Sequence, residues 1–339
     1  MGMFCAFGSR SAGDGPTLAA ARQSPIVPYQ HLHMPPMRHP TISTPPQLLK
    51  TAPVTTLRSR RWLTAWLLAM PLLGGATLAQ TPPAGTDDRV LRFPASVQQG
   101  SMVIGRVPAG SHVQYRGRVL RTTNYGTVVF GVGRNEPGPA IVQVQTPDGR
   151  QLTATVQVTP RDWPTEYVKG VPPKTASPKG ELAERIKREQ AQVTAARQRD
   201  DDRADFAHPF IWPVKGRISG RFGNARVYNG IPSGSGHSGM DIAAPTGTPV
   251  KAPAGGIVTF ANPNLFLTGG TLLIDHGFGI SSNFLHLSRI DVQVGQRVEQ
   301  GQIIAAVGAT GRATGPHLHW GMNWFDVRLD PLLVLERKP

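Results

Sequence analysis

The 339-residue chain is long enough for two modest domains and additional terminal segments. Its formal net charge is +15, but the basic residues are scattered and not interleaved with aromatics, so we expect an anionic surface as partner and no nucleic acid. Cys5 is the only cysteine, which excludes an internal disulfide and leaves His, Asp and Glu as available metal ligands. The 38 glycines and 32 prolines favour short strands and turns over long helices.

The N-terminal region has the features of an exported protein. Residues 1–57 are Pro-rich and lack hydrophobic periodicity, which predicts a disordered or mis-annotated extension. Residues 58–79 combine a basic start, an apolar run and small residues before a cleavage point near Ala79, which is typical of a signal peptide. The alternative is a retained membrane anchor, although an apolar run of about 17 residues is marginal for a spanning helix. The late position of the signal indicates that translation starts downstream of Met1.

The middle of the chain carries a pattern of short strands followed by one helix. Residues 80–89 form a polar linker, and residues 90–160 alternate apolar and polar positions between turn sequences, which predicts an Ig-like β-sandwich. No cluster of His, Asp and Glu occurs there, so we interpret it as a spacer or positioning module. Residues 161–209 are predicted to be a Pro-rich linker plus a helix over 181–199, whose narrow apolar stripe favours packing along a neighbouring domain.

Potential metal ligands are concentrated in the C-terminal region, residues 210–339. His237 and Asp241 are four positions apart, and His317 and His319 are two positions apart. Side chains of equal parity share one face of a strand, so two adjacent strands would collect three ligands and leave one imidazole over. Three protein ligands and an open position are typical of a catalytic zinc site. The glycines around His237 make a helix unfavourable at this position.

Four separated motifs in this region give a family resemblance. They are His-x-x-x-Asp at 237–241, x-His-Leu at 285–287, the G-x-V-x-x-G-type repeats that follow, and T-G-x-x-T-G-x-H-L-H-W at 310–320. The segment from about 221 to 331 resembles the lysostaphin and LytM-type zinc metallopeptidases, which cut peptidoglycan peptides and have a duplicated-hairpin fold. The expected fold is therefore mostly β, with an N-terminal Ig-like β-sandwich, a connecting helix and a C-terminal antiparallel β-sheet of the barrel-sandwich hybrid type.

The resemblance implies a role for each polar residue of the motifs. One zinc ion would be bound by His237, Asp241 and His319. The other histidine of the second pair, His317, would not bind the metal but would activate or orient the attacking water. His286 would lie across the site and stabilise the oxyanion of the tetrahedral intermediate. The family often has Tyr two residues before this histidine; here the residue is Phe284, so a hydroxyl role is lost at that position.

The expected function is a secreted or periplasmic zinc metalloendopeptidase that hydrolyses peptidoglycan cross-links with a metal-activated water. Its partners would be stem peptides and the anionic cell-wall surface, and we expect a monomer; an inner-membrane-anchored form facing the periplasm is the alternative location. A rival function is a non-enzymatic cell-wall-binding or amidase-activating LytM-like factor, but degenerate members have lost ligands that this chain retains. A lipoyl- or biotinyl-like carrier would need a lysine at a hairpin tip, and none lies between Lys251 and Lys338.

Three segments are predicted to form the walls of a narrow substrate cleft. They are the glycine-rich residues 229–236 and the loops at 261–270 and 308–316. A narrow cleft suits peptides with small side chains. Trp320 and Trp324 could flank it and stack on substrate, but their pattern favours core packing.

Overall fold

The computed structural model of the protein describes residues 90–337. The extension at 1–57, the signal peptide at 58–79 and the linker at 80–89 that the sequence predicts lie outside the described residues. The described part consists mainly of β-strands, and the prediction of a mostly β fold is confirmed. Between residues 90 and 337, no helix is both long and apolar enough to cross a membrane.

The N-terminal module, residues 90–160, contains two small sheets. Its strands are β1 (Ser96–Gln98), β2 (Met102–Arg106), β3 (His112–Tyr115), β4 (Arg118–Leu120), β5 (Thr127–Gly131), β6 (Ala140–Gln145) and β7 (Gln151–Thr159). One sheet has the order β1-β7-β6-β3-β4, and the other pairs β2 with β5. Strict alternation buries Ala140, Val142 and Val144 on one face of β6. Gly149, with a φ of 86°, closes the turn from β6 to β7.

The connecting segment contains a strand that the sequence did not predict. β8 (Thr165–Val168) is followed by α1 (Pro173–Ala176), α2 (Glu181–Ala196) and a 3₁₀ turn at Asp205–Ala207. β8 pairs in parallel with β10 (Ala225–Tyr228) of the C-terminal region, and Glu166 is the register partner of Arg226. A strand of four residues whose partner is about sixty residues away leaves no periodic pattern in the local sequence.

Helix α2 packs along the C-terminal domain, as its narrow apolar stripe predicts. It ends at Ala196, earlier than the predicted end near residue 199. The Arg185 guanidinium donates a hydrogen bond to the Asn264 carbonyl at 2.9 Å, and the Phe266 amide donates to the Glu189 carboxylate at 2.8 Å. These contacts fix the helix beside strand β14 (Gly256–Leu265).

The C-terminal domain is organised around a large antiparallel sheet. Its elements after β8 are β9 (Arg217–Gly220), β10, β11 (Ile231–Gly236), β12 (Met240–Ala243), β13 (Pro249–Lys251), β14 (Gly256–Leu265), β15 (Gly269–Asp275), β16 (Ile280–Leu287), β17 (Arg289–Ile290), β18 (Arg297–Val298), β19 (Ile303–Ala306), β20 (His317–Trp324), β21 (Val327–Leu329) and α3 (Pro331–Leu335). The main sheet has the order β18-β14-β15-β16-β20-β12-β9, with β21 paired to β20. Smaller sheets have the orders β13-β19-β17 and β11-β10-β8.

The N-terminal module and the C-terminal domain share one apolar core within the described residues. The rings of Tyr115 and Trp324 lie 6.0 Å apart between centroids. Arg161 donates a hydrogen bond to the Asp330 carboxylate at 2.8 Å, and the Asp330 amide donates to the Gly100 carbonyl at 2.8 Å. An apolar contact bordered by a half-buried ion pair gives the module a defined position on the domain.

Gly131, at the end of β5, provides a test of this packing. A Cβ atom there would lie 2.9 Å from both Trp324 Cβ and Leu329 Cδ2, whereas a Cβ at Gly133 would meet only Val327 Cγ1 at 3.6 Å. We expect Gly131→Ala to lower the free energy of unfolding by about 1–3 kcal/mol through overpacking. Gly133→Ala is the matched control and should change it by less than about 0.5 kcal/mol. Equal urea midpoints for the two variants would contradict this packing.

Candidate metal centre

Two of the three candidate ligand residues, Asp241 and His319, come from the pairing of β12 with β20. In this antiparallel pair, Asp241 lies opposite His319 and Ala243 lies opposite His317. Both histidines therefore share one face of β20, as strand parity predicts. Asp241 and His319 are brought together by cross-strand registry, although 78 positions separate them in the sequence.

His237 reaches the cluster from outside β12, not from within a continuous strand. β12 begins at Met240, and His237 is fixed by two backbone hydrogen bonds to the segment that precedes β10. Its amide donates to the Asn224 carbonyl at 2.8 Å, and its carbonyl accepts from the Gly223 amide at 2.9 Å. Gly239 allows the chain to pass over β20, because a Cβ there would lie 2.5 Å from the Trp320 carbonyl oxygen.

Three potential ligand atoms converge at one point. His237 Nε2 lies 3.0 Å from His319 Nδ1 and 3.2 Å from Asp241 Oδ1, and His319 Nδ1 lies 2.9 Å from the same carboxylate oxygen. Four ligands at about 2.0–2.1 Å around a tetrahedral zinc ion would be about 3.3–3.4 Å apart. The observed triangle is therefore close to the size that zinc requires.

The hydrogen bonds around the triangle leave lone pairs inside it. His237 Nδ1 lies 2.9 Å from the Arg221 carbonyl oxygen, which can only accept, and 3.2 Å from Arg226 Nη2, which can only donate. The shorter contact favours the proton on Nδ1, which leaves Nε2 unprotonated in the neutral ring. Asp241 Oδ1 is also an acceptor. At most one proton, on His319 Nδ1, is available for these two acceptors. A cation satisfies all three atoms, and the donor set of two imidazoles and one carboxylate fits zinc.

Burial and charge keep Asp241 and His319 in their metal-binding forms. Burial alone would raise the pKa of Asp241, but His237 and His319 outweigh it and hold that pKa well below its ordinary value. Burial lowers the pKa of His319 to about 4 despite the opposing effect of Asp241. A carboxylate and a neutral imidazole are the forms that coordinate a metal ion. Asp241 and His319 therefore have the protonation states that bind a cation at neutral pH.

Arg226 and Glu166 support the carboxylate ligand, and the sequence did not predict either. Arg226 Nη2 donates to Asp241 Oδ2 at 2.6 Å, on the oxygen that faces away from the triangle. Its Nε donates to Glu166 Oε2 at 3.0 Å, and Asn224 Nδ2 donates to Glu166 Oε1 at 2.8 Å. Burial alone would lower the pKa of Arg226, but the carboxylate of Asp241 outweighs burial and raises that pKa. Strand β8 of the connecting segment thus contributes to the geometry of the metal centre.

His317 lies beside the triangle with one nitrogen facing it. Its Nε2 is 3.8 Å from Asp241 Oδ1, farther than the three converging atoms are from one another. Its Nδ1 lies 2.8 Å from the Gly315 carbonyl oxygen and therefore carries the proton of the neutral ring. The Nε2 lone pair is left free to accept a proton.

His286 lies against His317, with 4.8 Å between the ring centroids. Its backbone has a φ of 64°, a left-handed conformation that is rare for a non-glycine residue and is often found at functional sites. Its Nδ1 lies 2.8 Å from the Thr310 carbonyl oxygen. Burial, with added effects of His317 and His319, lowers the pKa of His286 to about 3. The neutral ring therefore gives its N–H to Thr310 and keeps Nε2 as an acceptor.

The five site residues open onto one cleft of 1380 Å³. Strands β16 and β20 contribute to its floor, and β8, β11 and α2 contribute to its walls. Parts of the three segments predicted to wall the cleft, 229–236, 261–270 and 308–316, also line it. Trp320 and Trp324 are 0% and 5% exposed and belong to the core, as their pattern favoured.

Comparison with known proteins identifies the family of the domain that carries this centre. Residues 235–331 match the sequence profile of peptidase family M23. A crystal structure from Pseudomonas aeruginosa assigned to peptidase M23 is 31% identical, with a TM-score of 0.52, and the match covers 71% of this chain and 95% of that one. The chain belongs to peptidase family M23. The resemblance to lysostaphin and LytM-type peptidases is thereby confirmed.

Two relatives indicate what members of the family do. Peptidoglycan DD-endopeptidase ShyA of Vibrio cholerae is 41% identical over 111 residues, which are 32% of this chain and 26% of ShyA. Cell division protein DipM of Caulobacter vibrioides is 35% identical over 134 residues, which are 38% of this chain and 21% of DipM. This chain thus spans about a quarter of the length of ShyA and a fifth of the length of DipM. The activities of those whole proteins are therefore not assigned to this chain by the match alone.

Proposed function

We propose that this chain is a zinc-dependent endopeptidase that hydrolyses peptide cross-links of bacterial peptidoglycan. The observation that carries the proposal is the buried convergence of His237, Asp241 and His319 at the floor of an open cleft. The substrate class is supported by the name of ShyA, which is 41% identical to this chain over the matched region. We further propose one zinc ion per chain and a monomeric protein.

The residues around the cluster divide the chemistry between them. A zinc ion held by the three ligands supplies Lewis-acid polarisation of the scissile carbonyl and lowers the pKa of water to about 7. His317 is positioned as general base, because its Nε2 lone pair faces the cluster and its Nδ1 is anchored on Gly315. The same histidine then returns the proton to the leaving amine.

His286 has a more restricted role than the family resemblance implies. Its single N–H is donated to the Thr310 carbonyl, so in the neutral form it can only accept a hydrogen bond at Nε2. Donating to an oxyanion requires a second proton, which burial opposes. We propose that neutral His286 accepts a hydrogen bond from the attacking water at Nε2 and so orients that water.

Digestion of purified cross-linked muropeptides tests the proposed function. We expect the zinc-loaded full chain to convert cross-linked dimers into monomers, with mass spectrometry identifying the cleaved bond. A chelator should stop the reaction and added zinc should restore it. The reason is that the proposed hydrolysis depends on a bound zinc ion to activate the attacking water. Stoichiometric zinc binding without cleavage would contradict an enzyme and support a non-enzymatic cell-wall or amidase-activating factor instead.

We also propose that the protein acts in the periplasm or after secretion, with an inner-membrane-anchored form as the alternative. The support is the basic, apolar and small-residue order of residues 58–79. N-terminal sequencing of the protein recovered from cells distinguishes these outcomes. A chain that begins just after Ala79 agrees with cleavage, whereas one that retains the apolar run agrees with the anchor.

A further inference from the structure

Two arginines, the buried Arg197 and the half-buried Arg328, line the cleft without a matching anion among the described residues. Arg197, at the C-terminal end of α2, is only 7% exposed. Its Nη2 donates to Thr194 Oγ1 at 3.1 Å, and its Nε has no hydrogen-bond partner within residues 90–337. Arg328, on β21, donates from Nη1 to Asn323 Oδ1 at 2.6 Å. Both side chains border the same cleft as the metal centre.

The two guanidinium groups influence one another and have no close acidic partner among the described residues. Burial, with the charge of Arg197 adding to it, lowers the pKa of Arg328 to about 9, so Arg328 remains a cation at neutral pH. Asp326 acts on both arginines from a distance, but its two oxygens accept hydrogen bonds from Gln198 at 2.9 and 3.0 Å. A buried and a half-buried guanidinium that lie near one another are costly in free energy unless an anion is bound between them.

The register of the sheet gives the approximate separation along β20 between His319 of the candidate metal centre and the position of Arg328. His319 and Asn323 are four residues apart on the same face of β20, and Arg328 is the cross-strand partner of Asn323. Four residues of a strand extend roughly 13 Å. Asn283 lines the cleft, and Asn323 Nδ2 beneath it donates to Asn283 Oδ1 at 3.0 Å, so hydrogen bonds connect Asn283 through Asn323 to Arg328. A peptide lying along β20 would thus present a group roughly four residues from the scissile bond to the two arginines.

We propose that Arg197 and Arg328 form a carboxylate subsite, which binds a free carboxylate of the peptide substrate at the far end of the cleft from the zinc ligands. The planar guanidinium is suited to this because it forms two parallel hydrogen bonds with a carboxylate. The subsite joins helix α2 of the connecting segment to strand β21 of the peptidase domain, so the cleft is complete only when the helix is in place. This inference rests on the proposed peptidase function, because it assumes a peptide in the cleft.

A pair of substrates that differ by one functional group tests the subsite. Cross-linked muropeptides are prepared with each free carboxyl in turn as a carboxylate or as a carboxamide, and kcat/KM is measured with the zinc-loaded full chain. We expect one position at which the carboxylate is preferred about 10- to 100-fold, the range for a charge-assisted hydrogen bond. Arg328→Gln and Arg197→Gln should each remove most of this preference, and Arg328→Lys should keep part of it.

The carboxamide substrate serves as an internal control for folding. A folded subsite variant should lose much less activity on it than on the carboxylate substrate, whereas a misfolded variant would lose activity equally on both substrates. Arg289→Gln removes a positive charge from an exposed side chain paired with Asp291 and should retain the full preference. Equal rates on the two substrates at every position, or a preference that survives in both Gln variants, would overturn the subsite.

Failure of the proposed function is recognisable separately. If the unmodified chain cleaves neither substrate, calorimetric binding of the same carboxylate and carboxamide peptides still reports on the subsite. Tighter binding of the carboxylate form that is lost in Arg328→Gln would then support the subsite without the peptidase activity. Equal affinity for the two forms would reject it.

Discussion

Replacing His319 with alanine should abolish zinc binding and hydrolysis together, whereas replacing His317 should abolish only hydrolysis. His319 Nδ1 is one of three atoms within 3.2 Å of each other, but His317 Nε2 is 3.8 Å from Asp241 Oδ1. We expect His317→Ala to retain one zinc per chain and to lose about 10²- to 10⁴-fold in kcat, the contribution of a general base. Zinc content by elemental analysis and muropeptide turnover are measured on the same samples.

His276 is the matched control for this pair of substitutions. It is also a fully buried histidine, but it hydrogen-bonds the Gly255 carbonyl and Ser282 Oγ and does not line the cleft. His276→Ala should lower stability without changing zinc stoichiometry. Loss of zinc from His317→Ala would contradict the division between ligand and base. Retention of zinc by His319→Ala would contradict the ligand assignment itself.

Replacing Arg226 with methionine should weaken zinc binding about 10- to 100-fold, the usual effect of removing a group that hydrogen-bonds a metal ligand. Arg226 donates to Asp241 Oδ2 at 2.6 Å and so turns Oδ1 toward the two histidines. Methionine keeps most of the volume but cannot donate, which leaves a buried carboxylate oxygen without a partner. Competition with a chromogenic chelator gives the affinity independently of catalysis.

Charge repulsion between Arg226 and the metal ion would act in the opposite direction. Glu166 lies 3.0 Å from Arg226 and compensates its charge, so the orienting hydrogen bond should dominate. Glu166→Gln should therefore also weaken zinc binding, because it leaves the guanidinium charge uncompensated beside the ion. Arg221→Met is the control, since the exposed Arg221 contributes only its backbone carbonyl to His237. Tighter zinc binding by Arg226→Met would show that repulsion dominates.

The spacing of His237, Asp241, His317 and His319 predicted four of the five site residues because spacing is a local property, and the fifth, His286, was added only through the family resemblance. A His-x-x-x-Asp segment rich in glycine and a His-x-His strand indicate the kind of site without any knowledge of the fold. The role of each histidine came only from the family resemblance, and the site residues remain predictions until the zinc and activity measurements are made. The geometry agrees with the assignment of His237, Asp241 and His319 as ligands, since their atoms converge.

Four residues were not predicted because their importance depends on partners that are distant in the sequence. They are Glu166, Arg197, Arg226 and Arg328. An arginine on a short strand has no distinguishing local pattern, and most charged residues are solvated. Glu166 became part of the metal centre through the parallel pairing of β8 with β10, which crosses from the connecting segment into the domain. The sequence pattern predicted a linker for that segment, because the four residues of β8 are too few to give a periodic signal.

The sequence by itself thus determined the mostly β class, the family and the chemical type of the site, because alternation, turn residues and ligand spacing are encoded over a few residues. The tertiary structure decided which nitrogen of each histidine faces the cluster, which residues hold Asp241 in place, and where unpaired positive charge lines the cleft. These properties depend on tertiary contacts and burial, which join residues 60 to 128 positions apart and shift pKa values through contacts that no local pattern records.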